Sequence, residues 1–313
     1  MMNAKTENGR GGFVRAAGKM REKFIAFVKN HSQKRSIPER ILYGFIFVFF
    51  LAIVLTYLYT VVWCFLQACK THIDASLNPY SLPQEWHFEN FGVVFTEMTV
   101  NGIGFFGMVT NSLYFAILGS FVNIMGSVML AYVTTKYKFR GAGFYFAASL
   151  IMSILPIYGS GGSAYLLYER LGFIDSPLML IASFGGMGMN YLYFHSFWES
   201  VSWSYAEAAE IDGAGDYSIF FRVMLPQAMP MFGALFLLSW VGNWNAYDSA
   251  LLYLQRMPTL AAGLYIFREN MGGEAAQHLL WAGCFISCVP PIILFILFNN
   301  ALMNNVSLGG IKE

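Results

Sequence analysis

Charge is scarce in this chain. Of 313 residues, 57% are hydrophobic and only 12% are Asp, Glu, Lys or Arg, against about 25% in ordinary soluble domains. So thin a supply cannot cover a water-facing surface of this length. A bilayer removes the demand, because lipid replaces water around the apolar faces. Cysteine is scarce as well. Cys64, Cys69, Cys284 and Cys288 have neither metal-ligand spacing nor a disulfide framework. Cys284 and Cys288 lie one helical turn apart in an apolar run and read as small packing residues. His31, His72, His87 and His278 are scattered without ligand spacing, so no metal is expected. No nucleophile–base arrangement stands out, which disfavours a membrane enzyme. No GxxxxGK[ST] loop occurs: Gly18-Lys19 is followed by Met20 and lacks the upstream glycine. Gly102-Ile103-Gly104-Phe105-Phe106-Gly107 fits GxGxxG but lies outside any strand–helix unit, and reads as a flexible lead into a span. The chain therefore carries no nucleotide-binding machinery of its own.

What the sequence does have is long uncharged stretches, with 30 Phe, 18 Tyr and 7 Trp among them. A membrane-crossing helix needs about 20 apolar residues. The gaps between charges predict an all-α polytopic protein with six transmembrane spans, at about 41–66, 111–135, 144–168, 178–197, 231–254 and 279–303. Residues 1–40 form a basic tail holding ten of the 19 Lys and Arg and only Glu7, Glu22 and Glu39 as acids. One amphipathic helix is expected near Phe24–Val28. Nucleic-acid binding is one reading of such a tail. A cytoplasmic flank explains it more simply, because an apolar span follows at once. That span is too long for a secretory signal and lacks a cleavage site. With the N-terminus inside, the inner side collects fifteen basic residues, including Lys136, Lys138, Arg140, Arg222 and Lys312. The outer side then has four: Lys70, Arg170, Arg256 and Arg268. This matches the positive-inside rule for a multi-pass protein of the cell membrane with both termini in the cytoplasm.

Two connections are long: an outer loop at 67–110 and an inner loop at 198–230. Breakers fall within spans, at Pro156, Gly159, Gly161 and Gly162 in the third, Gly185, Gly186 and Gly188 in the fourth, and Pro290-Pro291 in the sixth. Broken helices survive at membrane depth only where protein or a cavity covers the freed backbone. Close packing through small residues is the alternative.

The inner loop is the most informative stretch. Trp203 to Ile211 has good helix formers, and Gly213 is placed to stop the helix. Asp216 can cap a second helix that ends before, or kinks at, Pro226. Alanines are expected on one side of the first helix, with Glu207, Glu210 and Asp212 around them. Small residues permit close approach by another protein, and the acids suit its Arg or Lys.

Glu207-Ala208-Ala209, then Asp212-Gly213-Ala214, then Leu225-Pro226 with the proline nineteen residues after Glu207, resembles the EAA loop of binding-protein-dependent ABC importer permeases. Pro83 to Phe91 (PQEWHFENF) is similar to the outer loop of the carbohydrate permeases, Asn111-Ser112 to the opening of their second span, and Gly242-Asn243-Trp244-Asn245 to their Trp-Asn element. Gly309-Gly310-Ile311-Lys312 is similar to the Gly-Ala-Val-Lys ending of the maltose-permease-like subgroup. The resemblance covers roughly residues 40–313. It departs mildly at Gly215-Asp216 and Phe220-Phe221.

The resemblance implies a permease subunit that catalyses no covalent chemistry. Its partners would be a second homologous permease, an ATPase subunit dimer that binds ATP and Mg²⁺, an extracytoplasmic solute-binding protein and the lipid bilayer. It implies that the helix carrying Glu207 docks in a cleft of the ATPase and that Gly213 supplies the turn. The direction implied is uptake and the substrate class a sugar or oligosaccharide.

An ion-coupled carrier is the main rival. Such carriers commonly place ionisable groups in the bilayer, whereas here only Asp248, in the outer half of the fifth span, and His195, near the inner interface, come close. Asn190, Tyr191 and Tyr193 in the fourth span and Trp244, Asn245 and Tyr247 in the fifth have the chemistry to line a sugar path. Interfacial aromatic belts give the same composition.

Overall fold

The computed structural model describes residues 37–137, 139–155, 161–270 and 277–306, with side chains in the last helix described to residue 298. The basic tail up to residue 36 with its expected helix, Lys138, Pro156, Gly159 and the Gly309–Lys312 ending lie outside the described residues. The chain divides into two units, Met1–Val62 and Trp63–Glu313.

The elements follow in order. Helix α1 is Ile37–Ala68, α2 His72–Leu77 and α3 Glu89–Glu97. A two-stranded hairpin, β1 Thr99–Val100 and β2 Ile103–Gly104, leads into α4, Phe105–Lys136. Then come α5 Ala142–Ile154, α6 Gly161–Arg170, α7 Met179–Ala182, α8 Met189–Ser200 and α9 Ser204–Ile211. A long helix, α10, runs over Asp216–Asn245. The chain closes with α11 Tyr247–Tyr253, α12 Leu260–Asn270 and α13 Gln277–Val306.

Among the described residues four helices are long and apolar enough to cross a membrane: α1, α4, α10 and the Gln277–Phe298 part of α13. In the first unit, α1 exposes its apolar side chains from Ile37 to Val62 apart from the half-buried Ile53, as a helix facing hydrocarbon would. In the second unit α4 is the central post. It packs most extensively against α8 and α10. Its buried Ala116, Gly119, Ser120, Gly126 and Ser127 let neighbouring backbones approach closely. One end of α4 joins a core of Met98, Phe105, Met108, Trp240, Trp244 and Phe267. The other joins Ile124, Val128, Tyr132, Tyr191, Phe194, Trp198 and Phe220.

Several sequence expectations need correction. The second span begins at Phe105 rather than Asn111. Asn111 and Ser112 lie inside it, where Asn111 Nδ2 donates to the Pro258 carbonyl at 3.1 Å and Ser112 Oγ accepts from the Leu260 N–H at 2.6 Å. They hold the start of α12, a helix the charge pattern concealed within an outer loop. The GxGxxG stretch is not a flexible lead: Gly102–Gly104 belong to a tight hairpin and Phe105–Gly107 open α4. Asn101 and Gly102 have φ of 54° and 80°, the left-handed pair that a two-residue turn of this hand requires.

The fifth span starts well before 231, because α10 is continuous through Pro226. A π segment at Ile219–Met224 makes this possible: the Leu225 N–H reaches back five residues to Phe220. The wider turn gives Pro226 the position of a helix-start residue, where a missing N–H costs least. The same span then breaks at Ala246 before α11.

The sixth span is not interrupted at Pro290-Pro291. Pro291 supplies no N–H to the carbonyl four residues back, that of Ser287. The Trp244 indole N–H donates to that carbonyl instead, at 3.1 Å. Removing this donor should strand a buried acceptor at a cost of about 1–3 kcal/mol. We expect Trp244→Phe to lower the thermal unfolding midpoint of the detergent-solubilised chain. Adding Pro291→Ala, which restores a backbone donor, should recover part of the loss in a double-mutant cycle.

Candidate functional site

Two features stand out in the second unit. The first is α9 and the turn after it. Helix α9 ends in a Schellman arrangement: the Ala214 N–H donates to the Ala209 carbonyl at 3.0 Å, and the Gly213 N–H to the Glu210 carbonyl at 2.9 Å. Gly213 has φ 82°, the left-handed conformation this closure needs. Alanines occupy both faces, not one: Ala206 is buried, Ala209 half-buried, and Ala208 exposed beside Glu207. The outward face carries Glu207, Glu210 and Asp212 around Ile211, which is 87% exposed, and Tyr217, which is 82% exposed. Apolar side chains ringed by one sign of charge are suited to a complementary protein cleft rather than to water.

This helix is tied rigidly to the bundle. Asp216 does not cap its helix; the cap position is Gly215, with no side-chain bond. Asp216 instead accepts from the Tyr137 hydroxyl at 3.1 Å. Burial, with help from Asp216, pushes the Tyr137 hydroxyl above its ordinary range, so it stays a donor at neutral pH. Lys136 Nζ donates to the Val201 carbonyl at 2.5 Å, at the other end of the segment. Tyr132 packs against Trp198 and Phe220 with ring centroids at 5.3 and 4.9 Å. Leu225 is half-buried and Pro226 exposed at the resumption of α-helical geometry in α10. A displacement of α9 is therefore delivered to the ends of α4 and α8 and to the base of α10.

The second feature is the break between α7 and α8. Residues 183–188 leave helical geometry, and the carbonyls of Ser183, Gly185 and Gly186 find side-chain donors. Asn123 Nδ2 reaches the Ser183 carbonyl at 3.1 Å, Ser127 Oγ the Gly185 carbonyl at 2.8 Å, and the Tyr145 hydroxyl the Gly186 carbonyl. Asn190 Nδ2 donates to Asn123 Oδ1 at 2.9 Å, fixing the amide that does the bridging. A Cβ at Gly185 would collide with the Asn123 carbonyl, so the close approach requires glycine there. Beside the break lies a cavity of about 190 Å³, lined by Phe115, Tyr168, Ser183, Asn243, Ser249 and Tyr253 among others.

The path residues expected from sequence divide. Tyr191 is fully buried with its hydroxyl on Thr134 at 2.8 Å, and Trp244 is 3% exposed with its indole on Ser287. Both are spent on the core. Asn190 is occupied in the bridge. Asn245 is exposed but bonds the Val241 carbonyl of its own helix. Tyr193 and Tyr247 are exposed, Tyr247 stacked on Tyr265. The cavity is lined instead by Asn243, the neighbour of Trp244 in the same short element, and by Tyr168 and Tyr253. No sequence signal marks those tyrosines, because they meet across α6 and α11.

Long apolar helices together with the interrupted pair α7–α8 mark a polytopic membrane protein. Residues 32–308 match the family described as binding-protein-dependent transport system inner membrane component. The chain belongs to that family: it is a multi-pass inner-membrane permease subunit of an ABC importer. It is 28% identical over 284 residues to a probable ABC transporter permease, YurM, of Bacillus subtilis, covering 90% of this chain and 91% of that one. It is 25% identical over 251 residues to the diacetylchitobiose uptake permease NgcG of Streptomyces coelicolor, covering 79% and 82%. It is 26% identical over 269 residues to the arabinooligosaccharide transport permease AraQ of Bacillus subtilis, covering 84% and 94%. A crystal structure of a bacterial ABC transporter that imports the acidic polysaccharide alginate contains a chain of the same fold. The TM-score is 0.70 at 22% identity, over 86% of this chain and 99% of that one.

The turn offers a clean test. Nothing lies within 4 Å of a Cβ built on Gly213, so substitution there should cost only backbone strain, about 1–2 kcal/mol. We expect Gly213→Val to speed hydrogen exchange at the Gly213–Ala214 amides by about tenfold, and Gly213→Asn to do so much less.

Proposed function

We propose that this chain is one of two permeases lining a carbohydrate uptake path, driven by a separate ATPase pair that docks on α9. The chain crosses the membrane six times with both termini in the cytoplasm. The broken pairs α5–α6 and α7–α8 serve as the third and fourth crossings. ATP and Mg²⁺ bind only on the ATPase subunits, and an extracytoplasmic solute-binding protein delivers the sugar.

One observation carries the reading. The helix that bears Glu207 projects an acidic, apolar-centred face while the segments on both sides of it are bonded to the end of α4. Such an element receives force from a partner and transmits it. Glu207 pairs with a basic residue of the ATPase cleft, Asp212 and Ala214 frame the Gly213 turn, and Ala208 leaves room for close approach. Lys136 and Arg222 beside this end support its cytoplasmic placement.

The cavity beside the 183–188 break supports a shared path. At about 190 Å³ it falls below the roughly 300 Å³ at which ligand pockets begin, so a second permease supplies the opposite wall. Its tyrosines, Asn243 and serines offer ring faces and hydrogen bonds of the kind sugars need. Carbohydrate as the substrate class is supported by the oligosaccharide permeases to which the chain is similar.

Reversing the charge at Glu207 tests the coupling. Glu207→Lys should leave the protein inserted in the membrane, because the side chain is exposed, while abolishing ATP hydrolysis stimulated by the loaded binding protein. Unchanged stimulation would remove Glu207 from the interface. The rival, an ion-coupled carrier, is tested by reconstituting the chain alone in liposomes under imposed Na⁺ or H⁺ gradients. We expect no sugar accumulation; accumulation would overturn the proposal.

A further inference from the structure

A second, larger cavity lies at the α9 end of the bundle, away from the 190 Å³ space. It measures about 490 Å³ and is lined by Thr134, Thr135, Lys136, Ala142, Gly143, Phe146, His195 and Glu199. Its volume falls in the range of ligand sites, about 300–1,000 Å³. Among the described lining residues it faces one cation, Lys136, and one anion, Glu199. The two are not bonded to each other. Lys136 commits one of its three donors to the Val201 carbonyl. The Glu199 side chain is 64% exposed and stands 3.9 Å from His195 Nδ1. Thr135 Oγ1 is buried and has no hydrogen-bond partner, an unmade bond that calls for an explanation. Ala142 and Gly143 open helix α5, whose cap Gly141 contributes no side-chain bond; the Ala142 N–H donates to the Phe139 carbonyl at 3.2 Å, which leaves the Gly143 N–H as an end donor.

The surroundings narrow the occupant. From this cavity α5 runs away with Phe144, Leu150, Ile151 and Ile154 all exposed. Nothing on that face would suit water, and acyl chains would lie along it. The headgroup belonging to such chains would reach the cavity. A purely anionic headgroup leaves Glu199 opposed by like charge. A headgroup with both a phosphodiester and an amine satisfies both lining charges.

We propose that this cavity is a binding site for an amine-bearing zwitterionic phospholipid. The phosphate sits at Lys136, with the Gly143 N–H at the start of α5 behind it, and turns the unbonded Thr135 hydroxyl out toward it. The ammonium sits at Glu199. Lys136 and its Val201 bond adjoin α9, so occupancy braces the segment that carries the projecting helix. The inference does not depend on the transported solute, and binding is read without transport.

The test uses the purified full chain in nanodiscs containing equal phosphatidylethanolamine and phosphatidylglycerol, with lipid retained after detergent extraction measured by mass spectrometry. We expect phosphatidylethanolamine to be enriched about tenfold, the scale of one charge-assisted hydrogen bond. Glu199→Gln removes an exposed charge without touching the core and should erase the preference. Gly143→Met should exclude both lipids, since nothing lies within 4 Å of a Cβ there and the new side chain enters the cavity freely. Equal retention of the two lipids by the unaltered chain would overturn the proposal, as would a preference that survives Glu199→Gln. Displacement of the lipid by millimolar glycerophosphoethanolamine would assign the site to a soluble phosphoamine and overturn the lipid assignment.

Discussion

The second unit depends on how it satisfies backbone carbonyls that helical geometry has released inside an apolar environment. An unpaired carbonyl in hydrocarbon costs several kcal/mol, so a broken helix there is stable only if something donates to it. At 183–188 the donors are Asn123, Ser127 and Tyr145, from α4 and α5. At Pro291 the donor is Trp244, from α10. Each solution uses a side chain from a different helix. The breaks therefore do more than bend the chain: they lock helices to one another through polar contacts that lipid cannot replace.

That constraint explains the distribution of polar residues along α4. Ser112 anchors α12, Ser120 accepts from Asn243 at 2.9 Å, and Asn123 and Ser127 serve the break. One helix thus meets α8, α10, α12 and the 183–188 break through a hydroxyl or amide, while its small residues set the distance. At its α9 end the polar contacts give way to the aromatic cluster around Tyr132 and then to the Tyr137–Asp216 bond. A push on α9 and a change at the break are consequently felt by the same post. This is the mechanical arrangement an importer needs if energy from outside the membrane is to alter a path within it.

Much of this was legible in the residues, and the misses have specific causes. The turn at Gly213 could be read because one residue type satisfies a left-handed closure, and the structure has that closure. Pro226 and Pro290-Pro291 misled because proline's effect depends on its surroundings. A π segment absorbs the first, and a tryptophan 47 positions earlier in the chain compensates for Pro291. Tyr191 and Trp244 looked like ligands because an aromatic ring with a polar tip suits a sugar. It suits a core equally well once a partner such as Thr134 or Ser287 meets the tip. Helices α2, α3 and α12 escaped notice because they lie in segments that charge and turn residues had marked as loops.

By itself the sequence determined the solvent, the class and the projecting element. Scarcity of charge demands a bilayer, and an acid-and-alanine helix stopped by glycine is a local structure whose geometry follows from nearby residues. Only the tertiary structure decided which spans break and which run on, and which polar side chains remain available after the backbone has been satisfied. Those outcomes depend on donors and acceptors meeting across helices far apart in the chain. No local pattern encodes such meetings.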